Sequence, residues 1–99
     1  MGMNAKPGLV AIYRWRIADE HVEAFRARWT HATRALKPHG GMGSLFARAD
    51  DGTYYAVALW PDRETRERAF DATEDGAPWP PAERLEPILL DPIENLWPE

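Results

Sequence analysis

The spacing of apolar residues changes several times along this chain, and each change marks an element. Leu9 to Ile17 (LVAIYRWRI) is rich in β-branched and aromatic residues and predicts a strand. Its first five residues are all apolar. From Tyr13 it alternates, with Tyr13, Trp15 and Ile17 on one face and Arg14 and Arg16 on the other. Over residues 20–36 the apolar positions Val22, Phe25, Trp29, Ala32 and Leu36 recur at intervals of three and four. On a helical wheel they fall within about 80° of arc, so this segment predicts an amphipathic helix with Asp19 as its N-cap. Pro38 and Gly40-Gly41 end it. Ser44–Ala49, a turn at Asp50-Asp51-Gly52 and Thr53–Trp60 predict a hairpin. Asp62 can cap a second helix reaching about Ala72, with a weaker apolar face at Thr65, Ala69, Phe70 and Thr73. Residues 74–83 read as a Pro-rich loop. Ile88–Leu90, extending toward Trp97, reads as a last strand, at an edge or bulged because Pro87 and Pro92 cannot donate to a ladder. The order βαββαβ predicts an α+β, ferredoxin-like fold: a four-stranded antiparallel sheet with both helices on one face.

The strand Tyr54-Tyr55-Ala56-Val57-Ala58-Leu59-Trp60 is apolar or aromatic throughout, as is the start of the first strand. Side chains alternate across a strand, so both faces of this sheet are apolar, and two helices cover only one. A monomer rarely leaves such a patch in water. The reading is therefore a closed two-fold homodimer, sheet against sheet. The alternative is that the small Ala56 and Ala58 and the tyrosine hydroxyls leave one face tolerably wet.

Length and composition add limits. Ninety-nine residues make one domain, expected over 8–97 behind a disordered tail at 1–7. A net charge of −4 with interspersed signs gives no basic stripe for nucleic acid. No apolar run approaches membrane-spanning length, and the first residues lack a signal-peptide core. With no cysteine there is no disulfide, thiolate nucleophile or Cys-based metal site. A cytoplasmic protein is expected. The five tryptophans need a core, an interface or a ligand to cover them.

VAIYRWRI, the helix carrying Phe25 and Trp29, and GMGSLFARADDGTYYAVALWPDRETRERAF together resemble the antibiotic biosynthesis monooxygenase domain family, within the dimeric α/β-barrel superfamily. The resemblance covers about residues 8–97, and its most specific piece is the strand ending at Trp60 followed by Pro61-Asp62-Arg63 and a helix. It implies a homodimer with a pocket in each subunit between sheet and helices. It also implies, as one branch of the family shows, oxidation of aromatic substrates by O2 without metal or flavin. A heme-degrading branch depends on an Asn from the first strand and on a Trp and a His from the second helical region. Here the strand position is Tyr13, the helix offers Ala69 or Phe70, and no histidine follows His39.

Chemistry-bearing residues are sparse. His21, His31 and His39 form no metal-binding spacing, Ser44 lacks a nucleophile-elbow context, and Gly40-Gly41-Met42-Gly43 reads as a turn. The aromatic set is the better lead: Tyr13, Trp15, Phe25, Trp29, Trp60 and Phe70 could converge between sheet and helices as substrate-binding residues, or simply as core. Arg66 falls on the sheet-facing side of the second helix, either snorkelling outward or reaching the pocket mouth to pair with an anionic or phenolate group. Tyr13 and Arg66 are thus the catalytic candidates, with no cofactor or metal expected. The leading expectation is a cofactor-independent monooxygenase acting on an aromatic or phenolic small molecule. The alternatives are a non-catalytic homodimeric ligand-binding or accessory module, or another dimeric-barrel enzyme such as an isomerase or decarboxylase.

Overall fold

The computed structural model describes residues 6–73 and 78–96. Most of the predicted tail (residues 1–5) lies outside them. Lys6, within the tail, is tied down, its Nζ donating to the carbonyl of Asn95 at 3.2 Å.

Strand β1 is Leu9–Arg16, helix α1 Val22–Leu36, β2 Ser44–Arg48, β3 Tyr54–Trp60 and helix α2 Arg63–Ala72. Two short strands follow, β4 at Glu83–Arg84 and β5 at Ile88–Leu90. The sheet is antiparallel in the order β2-β3-β1, with β4 and β5 both on the far side of β1. This is the ferredoxin-like arrangement expected from the sequence, with one correction. The sheet has five strands, not four, because its last edge is broken in two. Arg84 stands opposite Trp15 and Ile88 opposite Ile12, so three residues of the edge face two of β1. The extra residue makes a bulge at Leu85–Pro87, where Pro87 has no N–H to donate. Leu85 N–H still reaches the carbonyl of Arg14 at 3.0 Å, and the Arg14 guanidinium donates to that of Glu86 at 2.9 Å. The ladder ends at Leu90, short of the extension suggested toward Trp97. Asp91-Pro92 stops it, and Trp97 lies outside the described residues.

A second correction concerns the start of α1. Asp19 is not its N-cap. Asp19–His21 form a 3₁₀ turn closed by His21 N–H to Ala18 O at 2.8 Å, and α1 follows with no side-chain cap. The helix rests instead on the burial of its apolar stripe, through Phe25 above all. Asp62 does cap α2: its carboxylate accepts from Thr65 N–H at 2.7 Å. That hydrogen bond holds the Asp62 carboxyl below the usual carboxylate range.

The buried centre is Leu9, Ala11, Trp60 and Ala69, with Leu36 and Leu89 packed on it. Helix α2 thus sits over the Leu9–Trp60 end of the sheet. At this end Gly8 N–H donates to Trp60 O at 2.9 Å, and a Cβ on Gly8 would overlap the carbonyl of Pro61. Backbone cannot yield as a flexible side chain can. Gly8→Ala is expected to cost about 1–3 kcal/mol in urea unfolding, as overpacked sites do.

The two sheet faces are unequal. Register places Leu9, Ala11, Tyr13, Trp15, Phe46, Ala56, Ala58 and Trp60 on the helix side. Ala56 and Ala58 therefore do not soften the open face. That face carries Val10, Ile12, Leu45, Tyr55, Val57, Leu59, Ile88 and Leu90. Leu45, Ile88 and Leu90 are 57%, 38% and 46% exposed, so in a single chain this apolar surface meets water.

Candidate functional site

Between sheet and helices lies a cavity of about 760 Å³. Its origin is a choice of small side chains. Ala56 and Ala58 on β3 and Ala32 on α1 face it, where larger residues would fill the gap between the two layers. Trp15, Phe25 and Trp29 line one part of it, and Trp60 and Phe70 another. The six aromatic residues singled out from the sequence thus converge on one cavity. Two of them, Phe25 and Trp60, are at the same time core, at 1% and 2% exposure.

The rings are in contact. Trp15 meets Phe25 edge-on at 4.9 Å between centroids. Phe46 lies at 5.3 Å from Trp29 and 5.7 Å from Tyr54. Trp60 and Phe70 are 5.9 Å apart. Offset and edge geometries of this kind add cohesion beyond buried area.

The polar feature is a pair. Arg66 Nε donates to the Tyr13 hydroxyl at 2.9 Å, and both residues line the cavity. The Arg66 guanidinium carbon also lies 4.9 Å from the Phe70 ring centre and 5.6 Å from that of Tyr13. The hydrogen bond and the two ring faces hold this cation across the layer from α2 to β1. Of the two readings for Arg66, snorkelling or facing the pocket, the position is the second. Because the Tyr13 oxygen accepts from Arg66, its own O–H remains available to an acceptor in the cavity.

Other candidates fall away from this place. None of His21, His31 and His39 lines the cavity. Ser44 does, with no histidine beside it to act as a base. Among the described residues no group of three His, Cys, Asp or Glu side chains is placed to hold a metal ion. No helix among them is long and apolar enough to cross a membrane.

Some lining residues escaped the sequence reading. Trp79, in the Pro-rich segment, packs 5.1 Å from Phe25 and lies 4.4 Å from the Arg28 guanidinium. It had no periodicity to reveal it. Phe46 is not itself in the lining but packs behind it on Trp15, Phe25 and Trp29, in a strand too short to show an inward face. Arg34, Lys37 and Arg84 also reach the cavity. The first two sit at the end of α1, away from the apolar stripe, and Arg84 falls between the Pro-rich segment and the last strand that the sequence predicts.

No protein-family model matches the sequence. No curated protein matches it. Solved structures do. A variant of SnoaB, a cofactor-independent oxygenase from Streptomyces nogalater, superposes with a TM-score of 0.68 at 19% identity, over 92% of this chain and 97% of that one. The fold is that of the antibiotic biosynthesis monooxygenase domain. A heme-degrading protein from Mycobacterium tuberculosis superposes with a TM-score of 0.69 at 14% identity, over 89% and 96% of the two chains. For PA3566 from Pseudomonas aeruginosa the values are 0.68, 19%, 94% and 100%. At these identities the likeness is one of architecture. It bears out the resemblance read from the strand ending at Trp60 and the helix after it as a statement about the fold.

Proposed function

We propose that this protein is a monooxygenase of the antibiotic biosynthesis monooxygenase type, working as a homodimer and oxidising an aromatic or phenolic small molecule without metal or flavin. The observation that carries the reading is the Tyr13–Arg66 pair set in a ring-lined cavity. A planar substrate lies against Trp15, Trp29 and Phe70. The substrate enters as its phenolate, having given its proton to solvent water; the phenolate oxygen accepts from Tyr13, and Arg66 offsets its negative charge. The electron-rich anion then reacts with O2. Oxidation of a benzylic CH2 to a ketone consumes one O2 and releases one water, and the substrate supplies all the electrons. A substrate stacked on these rings displaces water from beside Arg66, which strengthens its electrostatic help.

The test is O2 uptake with a panel of hydroxylated polycyclic aromatics. Turnover is expected, with kcat/KM about 10- to 100-fold lower in Tyr13→Phe and in Arg66→Gln. Binding seen by tryptophan fluorescence with no O2 uptake across the panel would overturn the enzymatic reading.

One observation favours a second reading, a non-catalytic homodimeric module that binds a small ligand or serves as an accessory. Among the described lining residues no carboxylate or histidine offers a general base. The same lining lacks the histidine on which the heme-degrading branch depends.

A further inference from the structure

Beside the cavity lies a smaller hollow of about 130 Å³, between α1 and α2. Arg28 and Ala35 of α1 line the hollow and do not line the cavity. Four residues line both spaces and so stand between them: Ala32, Leu36, Phe70 and Trp79. Three of the four are held in place. Ala32 has no side chain to swing, and Leu36 packs on the buried centre. Phe70 and Trp79 are both partly in water, 40% and 43% exposed, but the Phe70 ring is pinned by Trp60 at 5.9 Å and by the Arg66 guanidinium at 4.9 Å. Trp79 is different, because it belongs to no helix or strand. Its neighbours Pro78, Pro80 and Pro81 fix their own φ and restrict the residue before each. The backbone here is therefore stiff, and the freedom left is rotation of the indole about χ1 and χ2. The ring rests along one flank of α1, its centre 5.1 Å from that of Phe25 and 4.4 Å from the Arg28 guanidinium. Phe25 lines the cavity and Arg28 the hollow, so the indole spans the boundary.

We propose that the gap between α1 and α2 is the entrance to the cavity and that Trp79 is the residue that sets the size of ligand admitted through it. With its indole against Phe25 and Arg28 the way is narrow, and with the ring turned outward it is wide. The inference rests on the reading of the cavity as a binding site and adds the route and its size limit. A ligand that needs the turned ring enters in proportion to the fraction of time the ring is turned, so the contacts that hold the ring slow entry. A bulkier ligand needs the wider opening and is slowed more.

Stopped-flow mixing with 1-naphthol, 9-phenanthrol and 1-pyrenol, a series of increasing ring number, tests it. The probe's own fluorescence reports kon and koff, so loss of a tryptophan does not disturb the signal. Trp79→Ala should raise kon for 1-pyrenol at least about tenfold, and for 1-naphthol by less. Arg28→Gln should raise kon and koff together by about two- to fivefold, the worth of an exposed cation–π contact, with Arg28→Lys closer to wild type. Ala35→Phe puts a ring into the hollow and should lower both rates. Arg28 and Ala35 lie outside the cavity lining, so Kd should hardly move in either variant, whereas a residue that merely supported the fold would shift Kd. An unchanged kon in Trp79→Ala, with only koff faster, makes the indole a wall of the cavity and overturns the proposal. Unchanged rates in Ala35→Phe overturn it too, because they place the entrance elsewhere. If circular dichroism shows Trp79→Ala unfolded, the Arg28 and Ala35 variants decide alone. Failure of all three probes to bind folded wild type and folded Trp79→Ala overturns the binding-site reading and this inference together. The readout needs no turnover, so absence of O2 uptake would sink the enzymatic reading and leave the entrance standing.

Discussion

Trp60→Ala should cost about 3–5 kcal/mol of stability, the range for removing a large aromatic ring from a core. The ring is 2% exposed and packs in the centre formed by Leu9, Ala11 and Ala69. Its neighbours are fixed by β1 and α2 and cannot collapse onto the space it would leave. A small domain has only about 5–15 kcal/mol in total, so the variant should be largely unfolded at modest urea. Trp60→Phe should lose less. The indole Nε1–H is buried with no hydrogen-bond partner among the described residues, and a phenyl ring removes that donor along with part of the volume. The order wild type, Phe, Ala in urea midpoint checks the argument. A loss below about 1 kcal/mol for Trp60→Ala would mean that the ring is not part of the core.

Val57→Lys should turn a dimer into a monomer of 11.3 kDa. Val57 lies between Ile12 and Leu45 on the open face, in the middle of three strands. In a sheet-against-sheet pair it would lie at the centre of the interface, where an unpaired ammonium on each subunit is costly. The expected dissociation constant rises at least about 100-fold. In the separated subunit the lysine stem lies along the apolar face with its charge in water, so the fold should survive. Sedimentation gives the mass and circular dichroism the fold, and Val57→Met is the uncharged control of similar length that stays dimeric. A wild-type chain that sediments as a monomer at micromolar concentration would contradict the pairing itself.

Much of the scaffold was legible in the residues. The three-and-four spacing from Val22 to Leu36 placed α1, the unbroken run from Tyr54 to Trp60 placed β3, and Asp62 marked the start of α2. Where the reading went wrong, local chemistry had competitors. Asp19 has the right side chain for a cap, but the 3₁₀ turn after Ala18 moves the helix start beyond its reach. Pro87 signalled a disturbed edge strand, yet pairing on both sides of it depends on where β1 lies, and nothing in residues 83–90 says so.

The candidate site divides in the same way. The sequence by itself determined which side chains share a face, because that follows from the period of a strand or a helix. Tyr13 with Trp15, Phe25 with Trp29 and Arg66 with Phe70 are all readable so. Only the tertiary structure decided that β1 and α2 meet closely enough for Arg66 to bond Tyr13 across 53 residues of chain. The same packing brought Trp79 from an aperiodic loop onto Phe25, and left the space over Ala56 and Ala58 open. Such distances depend on how far apart two layers pack, a sum over every side chain between them, which no local pattern of residues contains.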